Sequence, residues 1–297
     1  MFEMEWTEIS VLTNDESQDA VINILMEFGS LGVELDSRDD GVLSINSYFP
    51  EGFDIKSKVP AIQERVDQLK SFGLNPGMGK VVTKDLNDDK WNTEWEKYYH
   101  AKRITKFLTI SPVWEDYKKE SDDELVIKLD PKKAFGTGVH PTTVLCLQAI
   151  ENIIREGQSI LDIGTGSGVL SIGAKLLGAS DIEAYDYDDD AVTSAKQNVS
   201  LNGFADDIKV GKNSLLDGIT KKVDIIFANM LPEAVLPLIP QAVNNLNPGG
   251  QIIISGIIKE KLDITNQTLK DNDFVIDQVS MLGDWCGITA HLRRDDE

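Results

Sequence analysis

Residues 159 to 179 read SILDIGTGSGVLSIGAKLLGA, an apolar strand followed by a turn of three glycines and a helix. Few folds accommodate that succession. A strand apolar on both faces belongs inside a parallel sheet, and a glycine turn at a helix N-terminus lets a ligand approach bare backbone. Strand segments then alternate with helical ones through SILDIG, IEAYDYD, IKVGKNS, VDIIFAN and QIIISGI. The tail FVIDQVSMLGDWCGITAHL holds two strands with no helix between them, so the last pair should run antiparallel. The expectation over residues 104–297 is a doubly wound, Rossmann-like α/β domain with an antiparallel final hairpin. At its start, FLTISPVW and ELVIKLD read as a leading hairpin.

A different grammar precedes it. EWTEISVLT alternates, with Thr7, Ile9 and Val11 on one face. Val21, Ile24, Leu25 and Phe28 follow at helical spacing and stop at Gly29. GVELDS and GVLSINSYF read as strands, and Ile55, Val59, Ile62, Val66, Leu69 and Phe72 form a second helical stripe before the strand GKVVTKDL. The order βαββαβ predicts a ferredoxin-like α+β domain over residues 1–85. Trp91, Trp95 and Tyr98, at i, i+4 and i+7, predict an amphipathic linker helix over 86–103.

Charge narrows the partners. Fifty acidic residues against 29 basic ones give a net charge of −21, and residues 1–50 hold eleven Asp and Glu but one basic residue, Arg38. Such a surface repels nucleic-acid phosphates and attracts a basic partner. Direct nucleic-acid binding is therefore not expected. No apolar run approaches the roughly 20 residues that span a bilayer. Cys146 and Cys286 stand alone, outside metal-ligand spacing, which fits a reducing compartment. The expectation is a cytoplasmic monomer without metal or membrane anchor.

The glycine turn does not follow the dinucleotide fingerprint G-x-G-x-x-G. Gly164, Gly166 and Gly168 give G-x-G-x-G, and Val169 stands where the third fingerprint glycine belongs. Asp162, in the strand just before the turn, suits a ligand bearing an ammonium group better than a pyrophosphate. Asp186, at the end of the next strand, can accept hydrogen bonds from both ribose hydroxyls. A ribose joined to a cationic amino-acid end describes S-adenosylmethionine. The rival reading is a nicotinamide-dependent oxidoreductase, disfavoured by Val169 and Asp162. VDIIFANMLP places Asn229 at the carboxyl end of a buried strand, either facing the ligand crevice or capping the next helix. His140 could serve as a general base or as a structural histidine.

The stretches AFGTGVHPTT, LDIGTGSGVLSIGA, FANML, LNPGGQIIISGI and KWNTEWEKYY together resemble the ribosomal protein L-eleven methyltransferase family. The likeness covers residues 91–297, and the acidic segment ahead agrees in kind. It implies methyl transfer from S-adenosylmethionine to amino groups of ribosomal protein L-eleven, both lysine side chains and the terminal α-amine. It also implies cofactor contacts from Thr143, Gly164, Asp186 and Asn229, to which the residue reading adds Asp162 and Gly166. Asn229 is the candidate for positioning the amine. One departure is Pro131-Lys132-Lys133, where the family has Asp-Pro-Gly. A non-catalytic ribosome-assembly binder that retains the cofactor is the alternative within the same resemblance.

Overall fold

The computed structural model describes residues 6–30, 33–37, 42–50, 55–86, 100–130 and 138–294. The chain divides into two compact units, Met1–Tyr99 and His100–Glu297. The aromatic stripe of Trp91, Trp95 and Tyr98 lies outside the described residues.

In the first unit, β1 (Trp6–Thr13), α1 (Gln18–Glu27), β2 (Glu34–Ser37), β3 (Leu43–Pro50), α2 (Ile55–Gln68) and β4 (Lys80–Leu86) follow in that order. The sheet order is β2-β3-β1-β4, with every neighbouring pair antiparallel. Alternation sends Ile9, Val11, Ile45 and Phe49 into one cluster with Val21, Ile24 and Leu25 of α1 and Ile62 and Val66 of α2. The second helical stripe ends at Leu69, because Phe72 is 78% exposed. The chain tightens into a 3-10 turn over Leu69–Phe72.

The second unit holds a seven-stranded sheet of order β10-β9-β8-β11-β12-β14-β13. Its strands are β8 (Ser159–Ile163), β9 (Asp181–Asp186), β10 (Ile208–Lys212), β11 (Val223–Asn229), β12 (Leu246–Ile258), β13 (Phe274–Leu282) and β14 (Trp285–Leu292). β8 to β12 run parallel, while β14 is antiparallel to both β12 and β13. Side chains of a strand point alternately to opposite faces. Ile160, Ile225, Phe227 and Ile253 accordingly enter one apolar cluster, with α3 (Pro141–Ile153), α4 (Val169–Leu176) and α5 (Asp189–Leu201). Leu161, Ile163, Ile226, Ala228, Ile252 and Ile254 enter another, with α6 (Pro232–Asn245) and α7 (Leu262–Asp271).

A second, three-stranded sheet corrects two expectations. Lys102–Arg103, expected at the end of the linker helix, form strand β5 and pair with β6 (Leu108–Pro112). β6 and β7 (Leu125–Leu129) are parallel, not a hairpin. A parallel pair needs a connection of about a dozen residues, and residues 113–124 supply it. Buried Glu124 folds that connection back, accepting from the Thr109 and Tyr117 hydroxyls and the Glu120 N–H.

Burial alone would raise the Glu124 carboxyl, yet those donors hold it down to about 2. A carboxyl depressed on folding stabilises the fold above its ordinary value, and that contribution is lost as pH falls toward the depressed one. Glu124→Gln should therefore melt well below wild type at neutral pH. The gap should narrow as acid melts are carried from about pH 5 toward pH 2. A constant gap across that range would show that the charge of Glu124 contributes nothing.

Candidate functional site

The ends of β8, β9 and β11 bring the predicted residues to one edge of the sheet. Gly164, Gly166 and Gly168 have φ of +73°, +55° and +81°, a region glycine alone enters cheaply. The turn wraps onto the end of β9. The N–H groups of Gly164 and Thr165 both donate to the Tyr185 carbonyl, at 2.8 and 3.0 Å. Gly166 N–H donates to Asp186 Oδ2 at 2.9 Å, and Asp188 N–H to Oδ1 at 3.1 Å. Asp186 is half-buried, and each carboxylate oxygen keeps capacity to accept a hydroxyl.

Asp162 is placed differently from the expectation. It is fully buried, with Oδ2 accepting from Thr165 Oγ1 at 2.7 Å and Ser171 Oγ at 2.6 Å. Its carboxylate is sealed beneath the turn and not open to the crevice. Oδ1 has no hydrogen-bond partner, and burial pushes the carboxyl up to about 6 against the pull of the two hydroxyls. A nearby ligand cation would act on it through the field, favouring the ionised form.

Asn229, the last residue of β11, donates from Nδ2 to Thr143 Oγ1 at 3.3 Å. The bond joins residues far apart in sequence, and Thr143 is almost wholly buried in the first turn of α3. Asn229 is not a helix cap, since Leu231 holds that place ahead of Pro232. His140 is the N-cap of α3, its Nδ1 facing the Thr142 N–H at 3.4 Å and the Thr142 hydroxyl at 2.9 Å. Burial lowers its pKa, and its ring meets Trp285 edge-on with centroids 5.2 Å apart. Gly138, at φ +82°, sits on the side chains of Ile110 and Leu129. Gly136 and Lys132 lie outside the described residues.

Sequence reasoning missed three supports of the site. Met230 lies against Gly164, where an added Cβ would come within 2.6 Å of its Cγ. Its N–H donates to the Ser255 carbonyl at 3.1 Å. Gly256, at φ +86°, lets β12 pass beneath Met230, and a Cβ there would lie 2.7 Å from the Met230 carbonyl carbon. The register between β12 and β14 slips at that point. A glycine inside the strand pattern IIISGI was the available signal for a bulge. A cavity of about 220 Å³ beside α3, lined by Lys106, Gln148 and Thr289 among others, contains none of these residues. Among the described residues no group of three or more His, Cys, Asp or Glu could hold a metal.

A glycine turn tied to an acid, the neighbouring Thr143–Asn229 pair and a sheet whose last strands reverse define an S-adenosylmethionine-dependent methyltransferase of the Rossmann-like α/β class. The residues fit that cofactor: bare backbone at the turn and an acceptor pair on Asp186. Residues 5–293 match the family described as ribosomal protein L11 methyltransferase (PrmA). The ribosomal protein L11 methyltransferase of Levilactobacillus brevis is 44% identical over 316 residues, covering 99% of this chain and 100% of that protein. That of Bacillus cereus is 40% identical over 310 residues, covering 97% and 99%. A crystal structure of ribosomal protein L11 methylase from Lactobacillus delbrueckii subsp. bulgaricus superposes with a TM-score of 0.63 at 41% identity, covering 66% of this chain and 100% of that one. The chain belongs to the ribosomal protein L11 methyltransferase family.

Proposed function

We propose that this chain methylates amino groups of large-subunit ribosomal protein L11, at lysine side chains and the terminal α-amine, with S-adenosylmethionine as donor. The Asn229–Thr143 hydrogen bond beside the glycine turn carries the reading. Bound S-adenosylmethionine supplies a methyl group on a sulfonium. Gly164 and Gly166 would offer it bare backbone, Asp186 the ribose acceptors, and Thr143 and Asn229 the facing wall. With Nδ2 engaged by Thr143, the Asn229 amide oxygen is the atom left to accept a hydrogen bond from the substrate amine.

The amine must lose a proton first. A lysine near pKa 10.4 costs roughly 4.6 kcal/mol to deprotonate at pH 7. Burial and a nearby cation both lower that cost. His140 Nδ1 is occupied by Thr142, so the helix-capping role accounts for its placement. Desolvation and positioning are thus the route favoured here. Asn229→Ala should lower kcat at saturating cofactor by about 10- to 150-fold, the cost of about 1.5–3 kcal/mol for a lost hydrogen bond to a charged or developing-charge group. A raised KM for cofactor with kcat intact would reduce Asn229 to a binding residue.

The unit names follow the same reading. Residues 1–85 form a ferredoxin-like substrate-recognition domain, supported by the order β2-β3-β1-β4 and two helices packed in one cluster with the sheet. The doubly wound methyltransferase domain extends over residues 100–297, supported by the pairing of Lys102–Arg103 with β6 and by apolar clusters on both faces of its larger sheet. The acidic first unit captures the basic protein. The enzyme works as a cytoplasmic monomer, without direct nucleic-acid or membrane binding. No helix among the described residues is long and apolar enough to cross a membrane. Raising salt from about 50 to about 150 mM, where the Debye length falls to about 8 Å, should raise KM for the protein substrate severalfold more than Kd for cofactor. Equal responses would remove charge from substrate capture. The whole assignment is tested by incubating the enzyme with labelled S-adenosylmethionine and ribosomal protein from an unmethylated strain. Label on protein L11 supports it, and its absence from that protein overturns it.

A further inference from the structure

Asn198 of α5 and Asn202, the C-cap of that helix, stand one turn apart and reach across to Asp130, just past β7, and to Lys128 within it. Asn202 pairs with both backbone groups of Lys128, accepting its N–H at 2.9 Å and donating to its carbonyl at 2.7 Å. Asn198 does something else. It is fully buried, and its Oδ1 accepts the Asp130 N–H at 2.8 Å while its Nδ2 donates to the Ser167 carbonyl at 2.9 Å. Ser167 lies between Gly166 and Gly168 of the glycine turn. One turn earlier on α5, the Ala195 backbone packs against Gly168, where an added Cβ would stand 3.4 Å from its Cα and 3.5 Å from its carbonyl oxygen.

β7 also carries the other wall of the site. Gly138 rests on Leu129 of β7 and Ile110 of β6, where a Cβ would lie 3.3 Å from Leu129 Cδ1 and from Ile110 Cγ2. Gly138 leads within five residues to Thr143, which binds Asn229. The two walls of the crevice, the turn and the Gly138–Thr143 segment, are therefore referred to one buried amide through β7. Each end of that amide bonds backbone, whose position cannot be relieved by a rotamer change.

We infer that Asn198 is a positioning residue for the methyl-donor site, fixing the glycine turn relative to the β7-borne wall and thereby setting cofactor affinity. The inference rests on the proposed S-adenosylmethionine site. A carboxylate at this position keeps the acceptor for Asp130 N–H but sets an acceptor oxygen against the Ser167 carbonyl, so Asn198→Asp breaks the bond to the turn while keeping the one to Asp130.

The experiment is calorimetric titration of S-adenosylmethionine into wild type, Asn198→Ala, Asn198→Asp and Asn202→Ala, with a thermal melt of each. Asn198→Ala and Asn198→Asp should bind at least 10-fold more weakly, with KM for cofactor raised in step and kcat at saturation within about threefold. Asn202→Ala should melt lower yet bind within twofold of wild type, because its side chain bonds Lys128 of β7 and the Asn198 carbonyl but no atom of the turn. In unmodified enzyme, cofactor should slow hydrogen exchange at the Asp130 amide together with the amides of the turn. Wild-type affinity in the folded Asn198 variants overturns the inference, as does equal weakening by Asn202→Ala. If neither Asn198 variant folds, unchanged exchange at Asp130 on adding cofactor overturns it. Failure of wild type to bind S-adenosylmethionine at all would strike the functional reading instead.

Discussion

Replacing Gly256 by alanine is expected to cost the fold about 3 kcal/mol or more and to remove most activity. Two effects add at that position. A φ of +86° is strained for any residue with a Cβ, at roughly 1–3 kcal/mol. The new methyl would also stand 2.7 Å from the Met230 carbonyl carbon and 3.1 Å from its nitrogen. Those are backbone atoms held by the bond from Met230 N–H to Ser255, so no rotamer change relieves the collision. The chain between Asn229 and Leu231 must move, and Asn229 with it. For a unit of this size about 3 kcal/mol lowers the melting temperature by roughly 6–12 °C. Gly283→Ala is the control, since Gly283 has φ +62° and nothing within 4 Å of an added Cβ. It should lose only the strain. A Gly256→Ala enzyme that melts with the Gly283→Ala variant and turns over like wild type would remove Gly256 from the site.

Asp186→Ala should weaken S-adenosylmethionine binding about 10- to 150-fold, the equivalent of about 1.5–3 kcal/mol for a charge-assisted hydrogen bond. The residue has two tasks. It would accept the ribose hydroxyls, and it already accepts the Gly166 N–H, so its removal also frees the middle of the turn. Asn in its place keeps one acceptor oxygen for Gly166 and loses the charge. Asp186→Asn should accordingly fall between wild type and Asp186→Ala. Calorimetric affinity unchanged in a folded Asp186→Ala variant would sink the assignment.

The turn was legible because its requirement is local. Three closely spaced glycines with positive φ need no tertiary partner to be recognised, and Asp186 is found from them by counting along the next strand. Pairing direction is different in kind. LTISP and LVIKL look alike whether they meet parallel or antiparallel, and the choice was made by a buried Glu124 gathering donors from the connection. Asp162 was located on the right strand, but its enclosure depends on hydroxyls of Thr165 and Ser171 that sequence does not aim. Asn198 was illegible for the same reason. An asparagine in a polar helix acquires its meaning only when Asp130 and Ser167 arrive from elsewhere in the chain.

The interleaving of β14 between β12 and β13 bears on how the protein is made. Synthesis delivers β12 first, then β13, then the strand that must slip between them. Until Trp285–Leu292 has emerged, β12 presents an unpaired row of backbone groups beside Ile252 and Ile254, and β13 has no neighbour to pair with. Such an open apolar edge invites pairing with another chain. The nascent polypeptide therefore passes through an adhesive stage, and a pause in translation between β13 and β14 would lengthen it.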